Sequence, residues 1–199
     1  MLNDPDIRRA AFLDRDGTII ADIGYLDDPE DIDFIPGAAM AIRSLNEAGI
    51  AVIILSNQSG VARGFFSIEK AREIETALIE KLKEQGALVD ASYFCPHHPE
   101  GKVPEFSLRC RCRKPLPGMA ETAATRFNID MSKSWVIGDK ASDIGLAKNI
   151  GAEALLVRTG VGKETETALD PGDSIAVFDT ISEAVNRIIE TISKEKRHA

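Results

Sequence analysis

The sequence predicts a doubly wound α/β fold, in which a parallel sheet lies between two layers of helices. Short apolar runs typical of buried strands occur at 10–13, 50–55, 91–94, 135–137 and 154–157. Segments with helical periodicity separate these runs, and strands that alternate with helices favour a parallel, Rossmann-like sheet. Ligands of such sheets bind at the carboxyl ends of the strands, so polar side chains at those ends are candidates for the functional site.

Two of the helices can be predicted in detail. One stripe of apolar side chains begins after Ser67, a candidate N-cap, and ends before Gly86. A second stripe begins after Thr180, which has the spacing of a capping box with Glu183. The stripes consist of Ile68, Ala71, Ile74, Leu78 and Leu82, and of Ile181, Ala184, Val185, Ile188 and Ile192. Both are expected to face the core.

Length and composition indicate a single globular domain over residues 1–199. Hydrophobic residues make up 44% of the chain and charged residues 28%, a balance typical of a soluble globular protein. The net charge of −8 argues against nucleic acid or an anionic membrane as the main partner, because both need excess Lys and Arg. The longest apolar run is too short to span a bilayer. We therefore expect a cytoplasmic protein, with a monomer as the default state.

Two long segments interrupt the alternation of strands and helices. Residues 17–36 follow the first strand, are rich in acids, and are predicted to form a flap over the site. Residues 96–117 follow the third strand, and Cys110 and Cys112 lie in this loop, in the same segment of the chain as Cys95, His97 and His98. Three cysteines crowded beside histidines suit a metal better than a disulfide framework. We predict a metal-stapled loop here, the alternative being three incidental buried cysteines.

The first strand ends in Phe-Leu-Asp14-Arg15-Asp16-Gly-Thr, which places two carboxylates two residues apart. Side chains at this spacing can face one pocket while Arg15 points elsewhere. Asp14 could then attack a phosphoryl group, while Asp16 protonates the leaving oxygen and later activates water. Taken alone, the motif is more often a polar turn that ends a strand.

Three further strand-end or loop features suit a phosphate group. Ser56 begins a Ser-Asn-Gln-Ser-Gly segment whose hydroxyl and N–H groups could hold phosphate oxygens, although such a composition is also common in loops. Lys114 could neutralise a phosphoryl group, the alternative being a solvated surface charge. Asp139 and Asp143 share one face of a helix start, where they either cap the helix or support Mg²⁺ binding by Asp139 and Asp14.

In this order, the motifs resemble the haloacid dehalogenase superfamily of phosphatases, over about residues 10–157. Ser-Asn-Gln-Ser-Gly-Val-Ala-Arg-Gly and Cys-Arg-Lys-Pro-x-Pro-Gly-Met resemble its heptose bisphosphate 7-phosphatase branch, with histidinol-phosphate phosphatases as nearest relatives. The resemblance implies Asp14 as nucleophile, Asp16 as acid and base, and Ser56 and Lys114 as stabilisers of the phosphoryl group. The implied partner is a small phosphorylated sugar.

The same resemblance implies two metal sites and a substrate pocket. Mg²⁺ would bind Asp14, Asp139 and the backbone carbonyl of Asp16. Zn²⁺ would bind Cys95, His97, Cys110 and Cys112, a closed and therefore structural set, with His98 as the rival ligand. The implied pocket residues are Asp22, Ile23, Gly24, Tyr25, Ser56, Asn57, Gln58, Ser59, Arg113, Lys114 and Lys140.

Two other classes of protein share part of this pattern. A phospho-receiver domain is also doubly wound and is also phosphorylated on Asp near Mg²⁺ and Lys, but it needs neither Asp16 nor a zinc loop. A zinc-dependent interaction module would need no catalytic carboxylates. Continuous release of phosphate from an aryl phosphate in the presence of Mg²⁺ would exclude both.

Overall fold

The computed structural model of the chain describes residues 7–170, 172 and 175–198. A single parallel sheet of six strands occupies the centre of the described part, in the order β3-β2-β1-β4-β5-β6. The strands are β1 (Ala10–Leu13), β2 (Ala51–Asn57), β3 (Ala91–Cys95), β4 (Trp135–Gly138), β5 (Glu153–Val157) and β6 (Ala176–Phe178). The helices are α1 (Ala38–Glu47), α2 (Ser59–Arg63), α3 (Ile68–Glu84), α4 (Gly118–Phe127), α5 (Ala141–Ile150), α6 (Gly162–Thr167) and α7 (Ile181–His198).

The predicted fold class is confirmed, and the hydrophobic core explains why the sheet is covered on both faces. Successive strand residues point to opposite faces, so Leu13 of β1 joins one core cluster while Phe12 joins the other. Helices α1, α3 and α7 pack on the face of Leu13. Helices α4 and α5 cover the face of Phe12. Strands buried on both faces must be continuously apolar, which is the pattern seen in the sequence.

The boundaries of the predicted elements agree closely with the structure. All five predicted strands are present, and each ends within two residues of its predicted end. Strand β6 was missed because it has only three, partly buried residues. Ser67 caps α3, its side chain accepting a hydrogen bond from Lys70 N. Thr180 accepts one from Glu183 N at 3.4 Å, but the Glu183 carboxylate binds Asp179 N, so the capping box is shifted by one residue.

The segment after β1 folds back on itself, as a flap should. Ala21 N donates to Asp33 O at 2.8 Å and Ile35 N donates to Ile19 O at 2.9 Å, which closes the base of the flap. Buried Ile20 anchors that base in the core. The tip is exposed and therefore free to face a ligand.

Two expectations, the assignment to one domain and the lack of a membrane span, can be compared only with the described residues. The assignment of residues 1–199 to one domain stays a prediction, because residues 1–6, 171, 173–174 and 199 lie outside the described residues. Within the described ranges, no helix is long and apolar enough to cross a lipid bilayer.

Replacing Leu78 by Ala should lower the free energy of unfolding by about 2–5 kcal/mol, because Leu78 is fully buried between α3 and the sheet. The matched control is Leu88→Ala, since the Leu88 side chain is 55% exposed, and it should change the stability far less. Urea unfolding followed by circular dichroism measures both. Equal losses in the two variants would contradict this packing.

Candidate active site

The sheet topology brings the predicted strand-end residues together. Strands β1 and β4 are neighbours, yet the chain leaves them toward opposite sides, so a crevice opens between their carboxyl ends. Asp14 follows β1 and Asp139 follows β4. Ser56 lies near the end of β2, on the other side of β1. A cavity of about 390 Å³ opens at this edge and is lined by Asp14, Asp16, Asp22, Gly24, Tyr25, Ser56, Asn57, Gln58, Ser59, Gly60, Arg113, Lys114, Lys140 and Ser142.

Most of the predicted pocket residues therefore line one cavity. Ile23 does not, because its side chain is 56% exposed and lies outside the lining, between Asp22 and Gly24. Ser142 lines the cavity but was not predicted, and Gly60 lines it as the last residue of the predicted Ser-Asn-Gln-Ser-Gly segment, although it was not among the implied pocket residues. Gly60 is the residue after the Ser-Asn-Gln-Ser run and Ser142 lies in the first turn of α5, so proximity in sequence was the available signal.

A buried ammonium group joins two of the carboxylates. Lys114 Nζ lies 2.7 Å from Asp14 Oδ1 and 2.6 Å from Asp143 Oδ1, and all three residues are buried. Burial acts to raise the pKa of Asp14, but Lys114 and Lys140 outweigh it and hold that pKa below its ordinary value. The lowered pKa keeps Asp14 ionised, as a nucleophilic carboxylate must be.

The backbone of Lys114 is fixed by Asn57. The Asn57 side chain donates to Lys114 O at 3.1 Å and accepts from Lys114 N at 3.0 Å. These two bonds tie the long loop before α4 to the end of β2. Asn57 was predicted as a pocket residue, and it also sets the position of the ammonium group.

Asp139 is suited to a metal ion. Its side chain is fully buried, and Oδ2 accepts from Val161 N at 2.9 Å, whereas Oδ1 receives no hydrogen bond from the described residues. Burial, together with the charge of Asp14, raises the pKa of Asp139 to about 7. Gly17 has φ of +92°, and a Cβ there would collide with the Asp139 carboxylate, so glycine is needed for this close approach.

The predicted Mg²⁺ ligands converge on one cation. Lys140 Nζ lies 2.8 Å from Asp16 O, 3.5 Å from Asp139 Oδ1 and 3.6 Å from Asp14 Oδ2. The positive charge of this ammonium group thus lies among the three oxygens that are predicted to bind Mg²⁺. Oxygen ligands of this kind are those that Mg²⁺ prefers. The Asp143 carboxylate lies close to those of Asp14 and Asp139, but it forms an ion pair with Lys114. This contact suits the predicted role of supporting the metal ligands without binding the metal.

Asp16 faces the cavity and is held by its neighbours. Gln58 Nε2 donates to Asp16 Oδ2 at 2.8 Å, and Ser56 Oγ lies 3.4 Å from the same oxygen. Arg15, which was expected only to point away from the pocket, donates to both carboxylate oxygens of Asp16. The buried Arg15 side chain is therefore in direct contact with one of the two carboxylates of the Asp-x-Asp motif.

The Cys/His cluster joins Cys95, the last residue of β3, to three residues of the loop before α4. The sulfur atoms of Cys95, Cys110 and Cys112 lie 3.2 to 3.4 Å from one another, too far for a disulfide, and His97 Nδ1 lies 3.3 Å from Cys112 Sγ. These four residues could hold one metal ion. His98 is outside the group, and its Nε2 lies 3.3 Å from Arg63.

The arrangement so far defines a class of protein. A family model described as HAD-hydrolase-like matches residues 111–184. That region contains Lys114 and Asp139. The class is therefore that of hydrolases with a doubly wound sheet and a carboxylate cluster at its switch point.

Relatives with established names resolve the class further. The D-glycero-beta-D-manno-heptose-1,7-bisphosphate 7-phosphatase of Yersinia pestis is 47% identical over 165 residues, which cover 81% of this chain and 87% of the relative. The enzyme of that name from Rhodopseudomonas palustris is 47% identical over 144 residues, covering 72% and 80%. A crystal structure of D,D-heptose 1,7-bisphosphate phosphatase from B. bronchiseptica, complexed with magnesium and phosphate, has a TM-score of 0.81, 30% identity, and coverage of 92% and 99%. The chain belongs to the family of these phosphatases within the HAD-like hydrolases.

Mg²⁺ added to the metal-free protein should raise its melting temperature, because a cation bound among the Asp14, Asp16 and Asp139 oxygens stabilises the folded state; at 100 times the Kd the gain is about 2.7 kcal/mol. Asp139→Asn should largely remove the gain, while Asp31→Asn, an exposed control, should keep it. The gain should be larger at pH 8 than at pH 6, because Asp139, with a pKa of about 7, binds metal only after losing its proton. An equal gain in Asp139→Asn would exclude Asp139 as a ligand.

Proposed function

We propose that the protein is a Mg²⁺-dependent phosphatase that hydrolyses the 7-phosphate of D-glycero-D-manno-heptose 1,7-bisphosphate. The product would be heptose 1-phosphate, for nucleotide-activated heptose and a lipopolysaccharide core or related glycan. The names of the relatives support this substrate. The observation that carries the chemistry is the buried Asp14 carboxylate paired with Lys114 at 2.7 Å, beside Asp16 in one cavity.

In the proposed reaction, one carboxyl group is the nucleophile and the other transfers protons. Asp14 attacks phosphorus, so that an aspartyl-phosphate bond forms as the bond between phosphorus and the sugar oxygen breaks. Asp16 gives its proton to that sugar oxygen, then takes a proton from the water that hydrolyses the aspartyl-phosphate. The second step restores both groups.

Charge on the phosphoryl oxygens is stabilised by the surrounding cations and donors. We infer that Lys114 and Ser56 bind those oxygens, and their position in the lining of the cavity that contains Asp14 supports this role. Mg²⁺ held by Asp14, Asp139 and the Asp16 carbonyl would neutralise part of the negative charge that Asp14 and the phosphoryl group bring together. Asp143 supports the site by binding Lys114.

We infer that charged residues and the flap tip, all of which line the cavity, recognise the substrate. Arg113 and Lys140 bring positive charge to a protein whose net charge is −8, which suits a ligand with two phosphates. Arg113 donates to His97 O at 3.3 Å, so it is attached to the Cys/His loop. The flap tip contributes Asp22, Gly24 and Tyr25, and Tyr25 packs on Phe65 with ring centroids 4.2 Å apart.

We also propose that the metal of the Cys/His cluster is a structural Zn²⁺. Three sulfurs and one imidazole nitrogen form a closed set of soft ligands, with no position left for a reacting water. Because Cys112 immediately precedes Arg113 and Lys114, the metal would fix the loop that supplies both cations. Reduced cysteines suit the cytoplasm, where we place the protein as a monomer.

The kcat/KM for heptose 1,7-bisphosphate should be at least about tenfold higher than the kcat/KM for histidinol phosphate. The reason is that binding of the phosphate that does not react helps to position the phosphate that does. Phosphate release assays on the two substrates measure the ratio, with Asp14→Asn as an inactive blank. Arg113→Ala should weaken the bisphosphate reaction more than that of a small aryl phosphate. A higher kcat/KM for histidinol phosphate would reject the heptose substrate and leave the phosphatase chemistry standing.

Elemental analysis of the purified protein should find about one zinc per chain, in addition to exchangeable Mg²⁺. Cys110→Ser should lower the zinc content and loosen the segment from 95 to 114, because metal binding and ordering of the loop are coupled. Hydrogen exchange measures the loosening, with the distant helix α7 as an internal control. Full activity and unchanged exchange in a zinc-free sample would contradict the structural role.

A further inference from the structure

A buried ion network lies behind the Asp-x-Asp pair, outside the cavity lining. Arg15 is 1% exposed, although arginine is seldom buried without partners. Its Nη2 lies 2.9 Å from Asp16 Oδ1, and its Nε lies 3.1 Å from each of the two Asp16 oxygens. On its other side, Nη1 lies 3.5 Å from Glu75 Oε2. The guanidinium group thus bridges a loop residue and a helix residue.

Glu75 is itself fixed in the fold. It lies on α3, is 7% exposed, and accepts a hydrogen bond from the Ser92 hydroxyl on β3. Burial raises the pKa of Glu75, and the charge of Arg15 opposes that shift. A continuous set of contacts therefore runs from β3 through Glu75 and Arg15 to Asp16.

We propose that Arg15, anchored by Glu75, is a positioning residue that orients the Asp16 carboxyl group for proton transfer. The inference rests on the proposed phosphatase reaction. A planar guanidinium group with several donors restricts the rotation of a carboxylate far more than one ammonium contact would. Gln58 binds Asp16 Oδ2 from the cavity side, so the carboxyl group is held from two directions while still lining the cavity.

A fixed orientation of the Asp16 carboxyl group matters because this group has to give a proton to the leaving oxygen. General acid catalysis contributes about 10²–10⁴-fold to rate, but only when the acid lies within hydrogen-bonding reach of the leaving oxygen. Asp16 is 17% exposed in its side chain and would otherwise sample several rotamers. A sugar hydroxyl is a poor leaving group that needs the proton, whereas nitrophenolate leaves without it.

This difference provides a measurement that a merely structural role would not change. The value of kcat/KM reports the first chemical step, in which the leaving group departs, so it is compared for heptose bisphosphate and 4-nitrophenyl phosphate. Arg15→Met should lower kcat/KM for the sugar substrate by about 10- to 100-fold, and for the aryl phosphate by less than about threefold. Glu75→Gln should cause a smaller loss with the same preference.

The controls separate this inference from folding and from the identity of the substrate. Arg8→Met is the matched control, because Arg8 and its partner Asp90 precede β1 and β3, at the amino ends of the strands and away from the cavity, so the change should affect neither rate. If Arg15→Met does not fold, Arg15→Lys and Glu75→Gln serve in its place, since they retain more of the network. Equal losses on the two substrates in the folded variants would overturn the positioning role.

Failure of the heptose substrate is recognised in the wild-type protein alone. If the wild type prefers another alkyl phosphate, the substrate proposal fails, and that ester replaces the bisphosphate in the same comparison. A wild-type protein inactive on every phosphate ester would overturn both proposals.

Discussion

The buried ammonium group of Lys114 is the feature on which the site depends. Asp14, Asp139 and Asp143 are all buried, and their ligand atoms lie within 4.8 Å of one another. Three carboxylates at this spacing repel one another strongly in a low-dielectric interior, so they need nearby cations. Lys114 contacts two of them directly, and Lys140 approaches Asp14 and Asp139. Repulsion remains at Asp139, whose pKa of about 7 reflects burial and the charge of Asp14.

The strand order converts these local contacts into a site. Because β1 lies between β2 and β4, residues that are 40 or more positions apart in sequence meet at one edge of the sheet. Lys114 comes from no strand, and its position depends on a loop held by Asn57 at one point and by the Cys/His cluster at another. A displaced loop would take the ammonium group away from Asp143 and leave Asp14 only the more distant Lys140, so the fold of the loop and the electrostatics of the site are linked.

Much of this arrangement could be predicted from sequence, and the exceptions have physical reasons. Continuous apolar runs identify strands buried on two faces, and the Asp-x-Asp spacing follows from the period of a strand. The same alternation rule predicts only that Arg15 points away from the pocket, and it does not say what the side chain meets there. Here it meets Glu75, a residue on α3 that no motif marks and that only the packing of α3 on the sheet brings near. Ile23 was included with its flap neighbours, but its side chain points to solvent.

Opposite requirements explain why the two carboxylates of the motif have such different surroundings. In the proposed reaction Asp14 has to stay ionised to attack phosphorus, and its two lysine neighbours favour the charged form. Asp16, the proposed acid and base, lines the cavity, where Gln58 and Ser56 bind it from one side and Arg15 from the other. One loop can provide both environments because the chain bends at Arg15, just after β1, so that Asp14 stays buried at the strand end while Asp16 pairs with the flap residue Ile20. Asp14 is enclosed by the ends of neighbouring strands, whereas Asp16 borders the flap, and these two environments suit the two different roles proposed for the carboxylates.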